Sequence, residues 1–82
     1  MDIEALRTLV RRKLADGSLP MNSIPRIWGG AGNGETCGLC GDIVNKDEFV
    51  MEGISVADGK GIQLHVRCFS VWESERRRAR SK

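Results

Sequence analysis

Residues 37–41 read Cys-Gly-Leu-Cys-Gly and residues 65–68 read His-Val-Arg-Cys, so two pairs of metal-ligating residues are separated by residues 41–64. A tetrahedral zinc ion takes four Cys or His donors, and a Cys-x-x-Cys turn aims two sulfurs at one ion. At the start of a helix, a three-residue step places His65 and Cys68 on one face. The sequence therefore predicts one Zn²⁺ per chain, bound by Cys37, Cys40, His65 and Cys68.

The predicted site uses every Cys and the single His of the chain. Four protein ligands leave no coordination position for water or substrate, which is typical of structural rather than catalytic zinc. We therefore expect a protein that is not an enzyme.

Three other interpretations of these residues stay open at this point. Cys37 and Cys40 have the spacing of a dithiol redox pair, although this pattern does not supply the βαβ setting of thioredoxin-like proteins. Cys68 and His65 are types used as nucleophile and base, although on one element they point alongside each other and no third group orients them. Buried thiols beside a hydrogen-bonded histidine are the ordinary structural alternative.

Length and composition explain why the chain needs such a site. Its 82 residues form at most one small domain, with two Trp, two Phe and no Tyr to supply aromatic bulk. A domain of that size buries only about 60% of its unfolded surface, so a metal, a disulfide or a partner is expected to help stabilise it.

Three cysteines cannot all pair within the chain, which disfavours a secreted disulfide framework and indicates a reducing compartment. Asp2 and Glu4 argue against a secretory signal or an acid-poor transit peptide. No segment approaches the roughly 18 apolar residues of a membrane span. We expect a complete cytoplasmic chain that does not bind membranes.

The N-terminal segment has the pattern of an amphipathic helix over about residues 2–15, in which Asp2 caps the start and Gly17 ends the helix. We expect it to pack on the core, although a basic amphipathic helix can also lie on a membrane surface. The apolar stripe consists of Ile3, Leu6, Val10 and Leu14.

Residues 17–36 contain Pro20, Pro25 and a glycine-rich run over 29–34, which predicts an irregular connector. Trp28 is too large to leave in water without reason, so we expect this segment to fold back onto the body. The glycine run lacks the Lys-Ser/Thr ending of a P-loop and the spacing of a dinucleotide-binding loop.

The segment after Cys40 predicts a β-hairpin over roughly residues 48–65, with Asp58-Gly59 at its turn. Gly53 suggests a bulge in the first strand. A closing helix is predicted from about residue 66 to 79, where apolar and charged residues recur with helical spacing.

The Cys-x-x-Cys turn of residues 37–41, here called the knuckle, is followed by a hairpin and a helix, and this order resembles the treble-clef class of zinc fingers and the first half of a LIM domain. His65-Val66-Arg67-Cys68-Phe69 is similar to the His-x-x-Cys-Phe step of those fingers. No Cys or His follows Cys68 in the sequence, so we do not expect a two-zinc LIM domain. The segments 14–20, 28–30 and 68–73 also resemble small bacterial single-zinc proteins without an assigned activity.

The resemblance implies an α+β fold: a small zinc-stapled, treble-clef-like domain. We expect an N-terminal helix over 1–16, a connector over 17–36, a zinc-binding module over 37–79 and a basic tail over 80–82, all in one domain.

The net charge of the chain does not decide its function, and three functions remain to be considered. The formal net charge of +2 is too small to require a nucleic-acid or membrane partner. We expect a non-enzymatic module that binds a protein partner. One alternative is a zinc finger that contacts nucleic acid through Arg76, Arg77, Arg78 and Arg80, with Lys82 in the tail. A second alternative is a zinc-thiolate redox sensor.

Overall fold

The computed structural model describes residues 2–22, 24–54, 59 and 61–80. It is a small α+β arrangement of two helices and a few antiparallel strands. In chain order, the elements are α1 (Ile3–Ala15), β1 (Arg26–Ala31), β2 (Glu35–Thr36), β3 (Ile43–Val44), β4 (Phe49–Ile54), β5 (Gly61–His65) and α2 (Val66–Arg80). No helix within these ranges is long and apolar enough to cross a bilayer.

Helix α1 begins and ends with the signals that its sequence contains. The Asp2 carboxylate accepts a hydrogen bond from the Ala5 N–H at 2.9 Å, and Gly17 takes the left-handed conformation, with φ of 82°, after the last turn. Leu6 and Val10 are buried where α1 packs against α2. Ile3, predicted on the same stripe, is 46% exposed because the first turn extends past the buried face.

Strand β1 corrects the prediction that residues 17–36 are irregular. It is the outer strand of a three-stranded sheet with the order β1-β4-β5, and it pairs with β4 from Arg26↔Ile54 to Ala31↔Phe49. Strand β2 also falls within the predicted connector. Local sequence disfavours a strand here because of its glycines, so the pairing partner β4 determines the conformation.

The predicted hairpin corresponds to β4 and β5, which pair antiparallel from Val50↔His65 to Ile54↔Gly61. Of the predicted turn, Asp58 lies outside the described residues, as do its neighbours 55–57 and 60. The bulge predicted at Gly53 is wrong, since Gly53 pairs regularly with Ile27 and Ile62. Glycine is required there for space: a Cβ would lie 2.9 Å from an Ile24 methyl and 3.0 Å from the Arg26 carbonyl oxygen.

Helix α2 follows β5 without an intervening loop and closes the core. Trp72 is fully buried, and its indole N–H donates to the Pro20 carbonyl at 3.0 Å, which ties the segment after α1 to α2. The Arg80 side chain and residues 81–82, part of the predicted basic tail, lie outside the described part of the chain. The remaining core is formed mainly by Leu6, Val10, Leu19, Leu39, Val44, Val50 and Leu64.

Candidate metal centre

The first two predicted ligands lie in a turn that β2 and β3 close. These strands pair at Glu35↔Val44 and Thr36↔Ile43, and the Cys37 N–H donates to the Asp42 carbonyl at 2.9 Å. The Gly41 N–H donates back to the Cys37 carbonyl at 3.0 Å, and Gly41 has a φ of 82°. A residue at this φ costs little only when it is glycine, so Gly41 allows the turn to bring both thiols to one side.

The other two ligands come from the junction of β5 and α2. His65 is the last residue of β5, and Cys68 lies in the first turn of α2. A hydrogen bond of 2.8 Å from the Gly38 N–H to the Gln63 carbonyl fixes the knuckle against β5. Backbone hydrogen bonds therefore bring the Cys37–Cys40 turn next to His65 and Cys68, which are distant from it in sequence.

The four ligand atoms form one cluster that could hold a metal ion, since all of them lie within 4.8 Å of one another. The His65 Nδ1 is 3.3 Å from the Cys40 Sγ and 3.9 Å from the Cys68 Sγ. Donors in a tetrahedron with zinc-to-ligand distances of about 2.0 to 2.3 Å are separated by about 3.5 to 3.8 Å. The cluster is thus close to the size that such an ion requires, and all three cysteines are free thiols.

The imidazole of His65 is oriented by groups outside the cluster. Its Nε2 lies 3.3 Å from the Ile43 carbonyl oxygen and 3.7 Å from the Glu48 Oε1. Both are acceptors, so they favour the tautomer with the proton on Nε2 and leave the Nδ1 lone pair facing the thiols. Glu48 is held by the Asn45 N–H, which donates to the same carboxylate oxygen at 2.9 Å.

Sequence reasoning missed this outer layer of the site. The Ile43 contact uses a backbone carbonyl, which every residue has, so the residue type does not predict it. Glu48 is one of several acids in an acidic stretch, and nothing in its immediate sequence distinguishes it. The signal that was available is the position of Glu48 directly before β4, the strand that pairs with β5.

The thiols are electrostatically coupled. The hydrogen bond from Cys68 holds the pKa of Cys37 far below its usual range, at about 3, although burial opposes that shift. The same hydrogen bond raises the pKa of Cys68, and burial raises that of Cys40. Burial lowers the pKa of His65, but the hydrogen bond and charge of Cys37, together with the Ile43 carbonyl and the charge of Glu48, outweigh burial, so the net shift is upward.

This pattern describes one thiolate stabilised by its neighbours, with a second negative charge opposed by the first. A divalent cation at the centre of the cluster would offset the repulsion among three thiolates. The donor set therefore fits a cation.

One side of the cluster opens to a cavity of about 360 Å³. Cys40, His65 and Cys68 all line this cavity; Cys40 is partly exposed, whereas Cys68 and Cys37 are buried. The rim carries both charged and apolar side chains: Asp42, Glu48, Arg67, Phe49 and Val66. A small molecule that reached the cluster from this side would meet Cys40.

The arginines predicted as nucleic-acid contacts are not equivalent. Arg76 is only 6% exposed, its guanidinium lies 5.5 Å from the Trp72 ring centroid, and it pairs with Glu73. Of the arginines predicted as nucleic-acid contacts whose side chains the structure describes, Arg76 is therefore the least accessible, because its side chain packs at the α2 interface.

Arg77 and Arg78 are more exposed, but acids accompany both. The Arg77 Nε lies 3.2 Å from the Glu73 Oε1, and the Arg78 Nε lies 4.0 Å from the Glu75 Oε2. Intrahelical pairs of this kind reduce the positive potential that a phosphate backbone would meet.

Comparison with family models, curated proteins and solved structures finds no match to this chain. Its function is therefore argued from the geometry of the cluster and the chemistry of the donors.

Proposed function

We propose that this chain is a structural zinc-binding protein without enzymatic activity, in which Cys37, Cys40, His65 and Cys68 hold one Zn²⁺ and the folded module binds a protein partner. One observation carries the proposal. Four donors from two distant segments converge within 4.8 Å, and the imidazole is oriented with Nδ1 toward the thiols.

The donor set favours zinc among the common ions. Three sulfurs and one imidazole nitrogen are soft to borderline ligands, which suit a tetrahedral Zn²⁺ and do not suit Mg²⁺ or Ca²⁺. When bound, zinc would supply no reaction chemistry here, since four protein ligands complete its coordination and make it a cross-link between the knuckle and the β5–α2 junction.

The order of the elements supports a treble-clef arrangement as the finer description. Two ligands lie in the turn between β2 and β3, one ends the β4–β5 hairpin and one begins α2. Phe69, directly after the last ligand, packs against the core with its ring centroid 5.5 Å from that of Trp72. The packing of Phe69 supports the proposed resemblance to the His-x-x-Cys-Phe step of treble-clef zinc fingers.

Apolar surface near the cluster supports a protein partner. Phe49 is 65% exposed and Val66 is 47% exposed, and both line the cavity beside the cluster. Exposed large apolar side chains beside a rim of charged groups are typical of a surface that another protein covers.

Metal content of protein purified without chelator tests the zinc assignment. We expect one zinc per chain by elemental analysis, and loss of that zinc in Cys68→Ser. Ser70→Ala, at an exposed position on the same helix, serves as the matched control and should retain the full zinc content. Metal-free protein that remains metal-free after refolding with zinc would contradict the proposal.

The cavity beside Cys40 favours a second candidate function, a zinc-thiolate redox sensor. In such a sensor, two thiolates of the cluster would form a disulfide and give up two electrons, hydrogen peroxide would accept these with two protons to form two waters, and the remaining donors would no longer hold the ion. Zinc release within minutes at about 100 μM peroxide, reversed by a dithiol and fresh zinc, is the expected result for such a sensor. Retention of zinc under those conditions would leave the site purely structural.

A further inference from the structure

Strand β1 is the outer strand of the sheet, and one of its edges faces away from β4. The Gly32 N–H donates to the Glu48 carbonyl at 2.7 Å, just beyond the last residue of β1. Hydrogen-bonded pairs alternate with non-hydrogen-bonded pairs along an antiparallel ladder. The pairs that bond to β4 are therefore those of Gly30, Trp28 and Arg26.

The backbone groups of the alternate residues, Ile27, Gly29 and Ala31, consequently point away from the sheet. Among the described residues, no group donates to or accepts from them. Gly29 and Ala31 are exposed. Strand β1 has few of the features that usually protect a free edge: it has no Lys and no bulge, Pro25 precedes it, and its one charged residue, Arg26, lies at its first position.

We propose that a second copy of this chain pairs with this edge, β1 antiparallel to β1, so that the two sheets join into one about a two-fold axis at Gly29. In this register Ile27 faces Ala31 of the second copy, and Gly29 faces Gly29. All three outward-pointing residues of each strand then form hydrogen-bonded pairs, each with two bonds. A shift of the axis to Trp28 would bring Pro25, which has no N–H, into the third pair.

The side chains of β1 fit the same register. Trp28 is 46% exposed and would lie opposite Gly30 of the second copy, in a non-hydrogen-bonded pair, where the strands approach most closely. The space above Gly30 is open, since a Cβ built there meets nothing within 4 Å. Each indole would therefore cover the bare backbone of the other copy's glycine, a packing that stabilises glycine in strands.

Charge complementarity favours a second copy over an unrelated peptide. Arg26 is exposed at one end of β1 and has no carboxylate within ion-pair distance among the described residues. Beyond the other end, Gly32 bonds to Glu48, whose side chain is partly exposed. Antiparallel pairing places Arg26 opposite Gly32 of the second copy, so each guanidinium approaches the other copy's Glu48.

Sedimentation velocity of the full chain, purified without chelator, tests this pairing. We expect a shift from monomer to dimer between about 5 and about 500 μM, a range that suits a small interface. Tryptophan fluorescence should become harder to quench with acrylamide as the dimer forms, because Trp28 becomes covered.

The variant Gly30→Lys separates this interface from any other. The monomer has room for the side chain, but in the dimer it meets the indole and places two like charges near the axis, so self-association should weaken at least about tenfold. Gln63→Lys adds the same charge to the same face on β5, the far edge strand, and should leave the dimer unchanged. Both variants should keep the metal content and circular dichroism of the parent.

A chain that stays monomeric at about 500 μM would overturn the proposal, even if it bound an extended peptide along β1. A dimer that Gly30→Lys leaves intact would also overturn it, because association would then use another surface.

Discussion

At the scale of single residues, the positions of two candidate ligands, Cys40 and His65, depend on neighbours that are not ligands. Gly41 allows the turn after Cys40, and the Ile43 carbonyl and Glu48 orient His65. The spacing of Cys and His was sufficient to predict which side chains meet, because ligand types are few and their separations are restrictive. The orienting groups could not be predicted, since they depend on the pairing of strands.

The knuckle glycines provide a matched test of that dependence. Gly41→Ala should destabilise the protein by about 1 to 2 kcal/mol and weaken metal binding, because a Cβ at a φ of 82° is strained although the space around it is open. Gly38→Ala is the control, since Gly38 has no positive φ and a Cβ there makes only ordinary contacts, the nearest at 3.6 Å. Chemical denaturation with parallel zinc analysis measures both effects, and equal losses in the two variants would contradict the strain argument.

At the scale of the elements, the sequence predicted α1, α2 and the two hairpin strands because each has a periodic apolar pattern and clear end signals. The sequence did not predict strand β1, and the reason is physical. Its two glycines carry no apolar pattern, and Gly29 lies where the chain approaches its neighbour, since a Cβ there would lie 3.3 Å from the Met51 sulfur. Such a strand is specified by its partner strand, which local sequence does not encode.

The two helices are joined by a buried carboxylate. Glu75 of α2 accepts a hydrogen bond from the Arg11 Nε of α1 at 2.8 Å, and the Arg7 Nε lies 3.9 Å from its other oxygen. Glu75→Gln should lower the free energy of unfolding by about 1 to 3 kcal/mol, because the charge-assisted bond is lost at a buried position. Glu4→Gln removes an exposed ion pair with the same Arg7. It should change the free energy of unfolding by less than about 1 kcal/mol. Urea denaturation measures the free energy of unfolding of both variants. A smaller loss for Glu75→Gln than for Glu4→Gln would show that the packing of the helices does not depend on this contact.

Helix α2 also bears on the nucleic-acid alternative. Because Arg76 is buried and Glu73 and Glu75 accompany Arg77 and Arg78, we expect no saturable binding of short oligonucleotides below about 10 μM at about 150 mM salt. Fluorescence anisotropy with single-stranded and duplex probes measures this. Tight binding that disappears when Arg77 and Arg78 are both changed to Ala would favour nucleic-acid binding over the binding of a protein partner.

At the scale of the whole molecule, the candidate metal centre and the hydrophobic core are one structure. Cys37 and Cys68 are members of the same buried cluster as Leu39, Leu64 and Trp72. Trp72 is the one fully buried aromatic side chain among the described residues, so the core has little aromatic area to stabilise it. We therefore expect a chain of this size to depend on the cross-link that the proposed zinc would make between the knuckle and the β5–α2 junction.

Removal of the metal should therefore unfold the described chain cooperatively rather than loosen the knuckle alone. Structural zinc contributes on the order of 10 kcal/mol, which is comparable with the entire stability of a small domain. With a strong chelator at 25 °C, we expect the near-ultraviolet signal of the tryptophans and the far-ultraviolet signal of the helices to disappear together. Added Zn²⁺ should restore both signals, and added Mg²⁺ should restore neither. If helical signal persisted while the tryptophan signal was lost, α1 and α2 would form a unit that does not need the ion, and the metal would organise only the sheet and the knuckle.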